Sequence, residues 1–202
     1  MKLVFQRTGQ RRYAVIAQRS PLPDLEMNPA PGYDPLMPHD LMHLVVEAKL
    51  GLKKGIFGQL AAGGDAGTFH PIFHPGEERR STSRLRNRVK AKGEKLLREG
   101  RTDAAQSERA TYICWHAWRS RSRSEEQQTA ARAMTEQAKQ IRAVGPANES
   151  YTLNERKLAE ICKHLDELSA HWSRLKVGQS IAVQWPDLTI QTATVHSRRG
   201  TG

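Results

Sequence analysis

An α+β fold, with a small antiparallel sheet packed against several helices, is predicted by three features of this 202-residue chain. Strand-like runs separated by turn residues occur at both ends. Helical composition fills the middle. Neither terminal hairpin would be stable alone, because a two-stranded ribbon is marginal in water, so the two are expected to join into one sheet with helices on one face. The length fits a single domain spanning residues 1–202.

The amino-terminal hairpin is written in Leu3-Val4-Phe5 and Tyr13-Ala14-Val15-Ile16-Ala17, with Thr8-Gly9-Gln10 as the turn. Six prolines then fall between Pro21 and Pro38. So many fixed φ angles predict an extended connector rather than a helix or central strand. Pro38 suits a first helical position, and Leu41, Leu44, Val45, Ala48 and Leu50 continue a helix that Gly51 stops. Six glycines within residues 51–68 flank a short apolar run and predict a short helix between joints. Their spacing matches neither phosphate-binding glycine motif.

Residues 77–144 read as helical, with a start at Thr102-Asp103, a restart at Ser124 with Gln127, and a stop at Gly145-Pro146. Thr152 and Glu155 have capping-box spacing. They open a helix whose Leu158, Ile161, Leu165, Leu168, Trp172 and Leu175 form one apolar seam. Ile181–Trp185 and Leu188–Val195 are the strands of the last hairpin.

Composition narrows the function classes. No window approaches the roughly 18–20 apolar residues of a membrane span, and Met1–Arg7 meets a charge too early for a secretory signal. Cys114 and Cys162, far apart and each in a helical pattern, are expected as reduced thiols. A cytoplasmic location without membrane contact follows as the expectation. The net charge of +11 is concentrated: between Arg79 and Arg123 there are fourteen Lys or Arg against four Asp or Glu. Such a run can neutralise phosphates, with Arg84, Arg86 and Arg88 as candidate nucleic-acid contacts, or dock an acidic protein. Trp115 and Trp118 are expected in the core, although exposed indoles there could stack on bases.

One constellation carries possible chemistry. His39-Asp40-Leu41-Met42-His43 places two imidazoles one helical turn apart on the same face, the geometry with which HExxH helices chelate zinc. Glu47 continues the stripe, but about 12 Å along the axis from His39. His70 and His74 are therefore favoured as the third ligand of a divalent ion such as zinc. Asp40 takes the place of the HExxH glutamate and is the candidate base for a metal-dependent hydrolase. The alternative is a non-enzymatic basic module.

Residues 27–43, from Met27 through Pro31-Gly32-Tyr33-Asp34-Pro35-Leu36 to His43, resemble a segment of bacterial proteins of no known function. The HDxxH element is also similar to the zinc motif of a ubiquinone-biosynthesis family. There a glutamate follows the second histidine after eleven residues, and that position here is Gly55.

Overall fold

The computed structural model describes residues 1–73, 79–121 and 125–191 and is an α+β protein. Its antiparallel sheet contains β1 (Lys2–Gly9), β2 (Arg12–Gln18), β3 (Leu25–Ala30), β4 (His70–Pro71), β5 (Ser180–Gln184) and β6 (Ile190–Gln191). The strand order is β4-β3-β2-β1-β5-β6, so the two ends of the chain share one sheet as expected. The helices are α1 (His39–Leu50), α2 (Ile56–Ala61), α3 (Arg79–Glu99), α4 (Arg101–Arg119), α5 (Glu125–Val144), α6 (Ala147–Thr152) and α7 (Glu155–Trp172).

The period-2 pattern of β1 sets the core face. Leu3 lies between Ala17 and Val183, and Phe5 between Val15 and Ile181, and all six are buried. Tyr13, next on the same face of β2, touches both α1 and α7. Val4 and Ile16 point the other way and are only partly covered. Helix α1 is buried continuously from Asp40 to Glu47 and packs against α4 and α7. It is the central rod of the helical layer, which explains why its apolar residues do not follow one narrow stripe.

Several boundaries depart from the sequence reading. The first turn is Gln10-Arg11 rather than residues 8–10, because β1 extends to Gly9. The proline-rich stretch contains a strand, β3. It is tolerated because Pro29 falls where the β2–β3 register shifts, so its missing N–H disrupts no regular ladder position. Pro38 is the residue before α1, with ψ of 146°, rather than its first turn. Asn154, not Thr152, caps α7 by accepting from the Lys157 amide at 2.9 Å. Thr152 instead ends α6 and donates back to the Glu149 carbonyl. The helical region breaks at Gly100 into α3 and α4. The Ser124 cap lies outside the described residues, and the last strand is described only through Gln191. Both cysteines are buried free thiols. No helix among the described residues is long and apolar enough to cross a membrane.

Candidate metal centre

Three side chains converge where α1 faces α4. His39 and His43 come from α1 and Glu108 from α4, each offering a ligand atom within 4.8 Å of the others. The His43 Nε2 to Glu108 Oε2 distance is 3.7 Å. Tetrahedral zinc, with bonds of about 2.1 Å, separates its donors by roughly 3.4 Å. His39 and Glu108 are exposed and have rotamer freedom to close the remaining gap.

The buried member is the most constrained. His43 is 1% exposed, and its Nε2 has no hydrogen-bond partner. Its Nδ1 lies 2.8 Å from Ser107 Oγ and 3.3 Å from Thr111 Oγ1. Ser107 uses its own proton to donate to Glu47 Oε1 at 2.9 Å, so its oxygen accepts from His43 Nδ1–H. With the proton on Nδ1, the lone pair sits on Nε2, toward Glu108. Metal-ligating histidines have this arrangement, in which the remote N–H is tied to an acceptor that fixes ring and tautomer. Burial, with His39 adjacent, pushes the His43 pKa down to about 3, so the imidazole is neutral.

Glu47 therefore supports the centre from behind. Its two carboxylate oxygens accept the Ile56 and Phe57 amides at 2.9 and 3.0 Å, joining α1 to the start of α2. Burial raises its pKa to about 7, against the pull of those donors and Ser107. The contact requires glycine at position 55, where a Cβ would sit 2.4 Å from the Glu47 carboxylate carbon. Gly32, at φ of +70°, does a similar job for His39: a Cβ there would lie 2.6 Å from the histidine Cβ, and its carbonyl accepts the His39 amide.

Asp40 is placed differently from the expectation. It is buried, and its carboxyl is hydrogen-bonded to the Tyr13 hydroxyl, which also meets the Pro31 carbonyl at 2.5 Å. Burial raises the Asp40 pKa. The Tyr13 hydroxyl donates to Asp40 Oδ2 and lies against the Pro31 carbonyl, tying both to β2. Such a group is a clamp between α1 and the preceding connector rather than an open base. His70 is exposed on the edge strand β4 and is not in the converging group; nor is Glu47. His74 lies outside the described residues.

Glu108 escaped the sequence reading because no local spacing relates it to the histidine pair. The signal available was the stripe that follows it on α4, with Tyr112, Trp115 and His116 on the same side of the helix. These residues, with His39 and Glu108, line a cleft of about 690 Å³. Trp118 is buried in the core as expected, whereas Trp115 is only partly buried and faces the cleft.

Replacing Ser107 by alanine tests the support of His43. Zinc affinity, measured by competition with a chromophoric chelator, should fall about 10- to 100-fold, as loss of an outer hydrogen bond to a ligand generally does. Unchanged affinity would show that Ser107 does not orient the ring.

Arg84, Arg86 and Arg88 lie exposed on α3. Arg86 reaches over the Phe73 ring at 5.4 Å. Comparison with protein-family models, curated proteins and solved structures finds no match to this chain.

Proposed function

We propose that this protein binds one divalent metal ion through His39, His43 and Glu108 and uses it for hydrolysis. The observation that carries the reading is the buried Nε2 of His43, which has no hydrogen-bond partner and converges with two further donor side chains. An unsatisfied buried nitrogen is costly in a protein without a ligand for it. Two imidazoles and a carboxylate suit zinc and related first-row ions, and leave a position open on the cleft side. An ion held there would polarise a carbonyl and lower the pKa of a coordinated water. The chain's own residues do the positioning. Ser107 and Glu47 set the His43 tautomer, Gly32 seats His39, and the Asp40–Tyr13 clamp fixes the first turn of α1.

Metal content of untagged protein purified without chelator tests the proposal. Wild type and His164→Ala should carry about one equivalent, whereas His39→Ala, His43→Ala and Glu108→Ala should each carry almost none. Hydrolysis of a p-nitrophenyl ester that is lost with chelator and restored by zinc checks the reaction class.

A second reading is favoured by α3. Among the described residues Arg84, Arg86 and Arg88 make no ion pair, and Lys95 pairs only with Glu99 of the same helix, at 3.8 Å. A helix with one buried seam and an unneutralised basic surface fits a polyanion such as nucleic acid, or an acidic protein surface. Duplex affinity should then fall log-linearly with salt, and changing the three arginines to glutamine should flatten the slope by up to roughly 2.7, at about 0.9 per phosphate contact. No binding at low salt, or an unchanged slope, would leave α3 as a solvated face.

A further inference from the structure

We infer that the cleft beside the metal centre takes a small molecule with an uncharged aromatic body and a single carbonyl or carboxylate head, the head at His39, His43 and Glu108 and the ring against Trp115. The inference rests on the metal reading and adds the substrate class.

Its shape comes from α4. Glu108, Tyr112 and Trp115 follow at spacings of four and three, so they share one helix face. At 1.5 Å per residue, the indole lies about 10 Å along the axis from the carboxylate. Tyr33 and Met37 from the connector before α1, and Met134 from α5, line the same space. A volume of about 690 Å³ is in the middle of the range for sites that enclose small molecules. Trp115 is held for the task, since the Arg119 guanidinium lies over its ring at 4.8 Å.

The charges decide what the body of the ligand is. Arg109 is committed to Glu149, its Nε donating to Oε2 at 2.8 Å with a second bond beside it. Asp34 is committed to Arg119 at 2.9 Å. The Tyr33 hydroxyl accepts from Arg7, and the Tyr112 hydroxyl donates to Gln137. Burial lowers the pKa of His116, which favours its neutral form. Among the described residues Arg109, which lines the cleft, and Arg119, which lies over Trp115, are each already paired with a carboxylate, and the unpartnered Arg119 Nη1 is buried, so a phosphate or sulfonate away from the metal end would have to displace an existing pair. At the metal end the balance is opposite. A divalent ion with one carboxylate keeps a net positive charge, which attracts one ligating oxygen.

Two hydroxamates with the same chelating head test this on the cobalt-loaded full chain: acetohydroxamate, and 2-naphthohydroxamate. The visible spectrum of cobalt reports head coordination, and calorimetry reports affinity. Both probes should perturb the spectrum, and the naphthyl compound should bind about fiftyfold more tightly, as burial of roughly 100 Å² of ring surface implies. Trp115→Ala should reduce that ratio to below about fivefold without changing acetohydroxamate affinity. Met134→Ala, at an exposed position that the fold does not depend on, should reduce it in the same direction. Equal affinities for the two probes beside a normal cobalt spectrum would overturn the substrate class alone. A naphthohydroxamate carrying a sulfonate at its far end that binds as tightly as the parent would overturn the uncharged body. Failure to form any protein-bound cobalt spectrum would instead overturn the metal reading beneath it.

Discussion

Saturating zinc should raise the melting temperature of the chelator-stripped chain by roughly 5–10 °C, and His43→Ala should remove that shift. A ligand at a hundredfold excess over its dissociation constant stabilises the folded state by about 2.7 kcal/mol. For a chain of this length each kcal/mol moves the midpoint by about 2–4 °C. His43 is the decisive position because its nitrogen is already desolvated and already carries the ligating tautomer, so binding requires no further burial of that group. The substitution itself opens a small cavity and lowers the baseline midpoint. For that reason the measured quantity is the zinc-dependent difference within each variant, by scanning calorimetry. His164, whose Nδ1 lies 3.2 Å from the Glu160 carbonyl on α7, is the matched control and should keep the full shift. A wild-type midpoint indifferent to zinc, manganese and iron would leave His39 and His43 as ordinary helix residues.

Truncation after Gln179 should abolish cooperative unfolding altogether. Strand β5 lies against β1 from Lys2↔Gln184 to Gln6↔Ser180. Ile181, Val183, Trp185 and Leu188 are all buried, and Trp185 packs on Phe57 at 5.9 Å between ring centres. Four buried apolar side chains at about 1.5–3 kcal/mol each approach or exceed the whole stability of a typical domain, about 5–15 kcal/mol. Far-ultraviolet circular dichroism against temperature would show a broad, shallow loss of signal in place of a sigmoid. A truncated chain with the midpoint and slope of the full one would refute a structural role for the shared sheet.

The parts of this architecture that could be read from sequence are those governed by local periodicity. The alternation in β1, the Gly51 stop of α1 with φ of +67°, and the seam of Ile161, Leu165, Leu168 and Trp172 on α7 all follow from neighbours a few residues apart. Strand β3 was hidden because proline counts against strand formation, while the irregularity that admits Pro29, three steps along β3 against two along β2, exists only once the strands are paired. The candidate site divides the same way. The histidine pair is legible because four residues make one helical turn. Glu108 is not, because only the packing of α4 on α1 brings it there. Asp40 was read by analogy with HExxH helices, and its partner Tyr13, 27 residues earlier, leaves no trace in local spacing.

The position of β1 between β2 and β5 also has a consequence for the order of events during synthesis. One edge of β1 finds its partner almost at once, across a two-residue turn. The other must wait for a segment that hydrogen-bonds to the chain 184 residues later, as the Trp185 amide does to the Met1 carbonyl. Throughout that interval the β1–β2 hairpin offers an unpaired edge beside Leu3 and Phe5, and loop closure over such a separation is slow. The nascent chain is therefore most exposed to aggregation while its helices are being made, and binding of a chaperone to the first twenty residues should persist until β5 has left the ribosome.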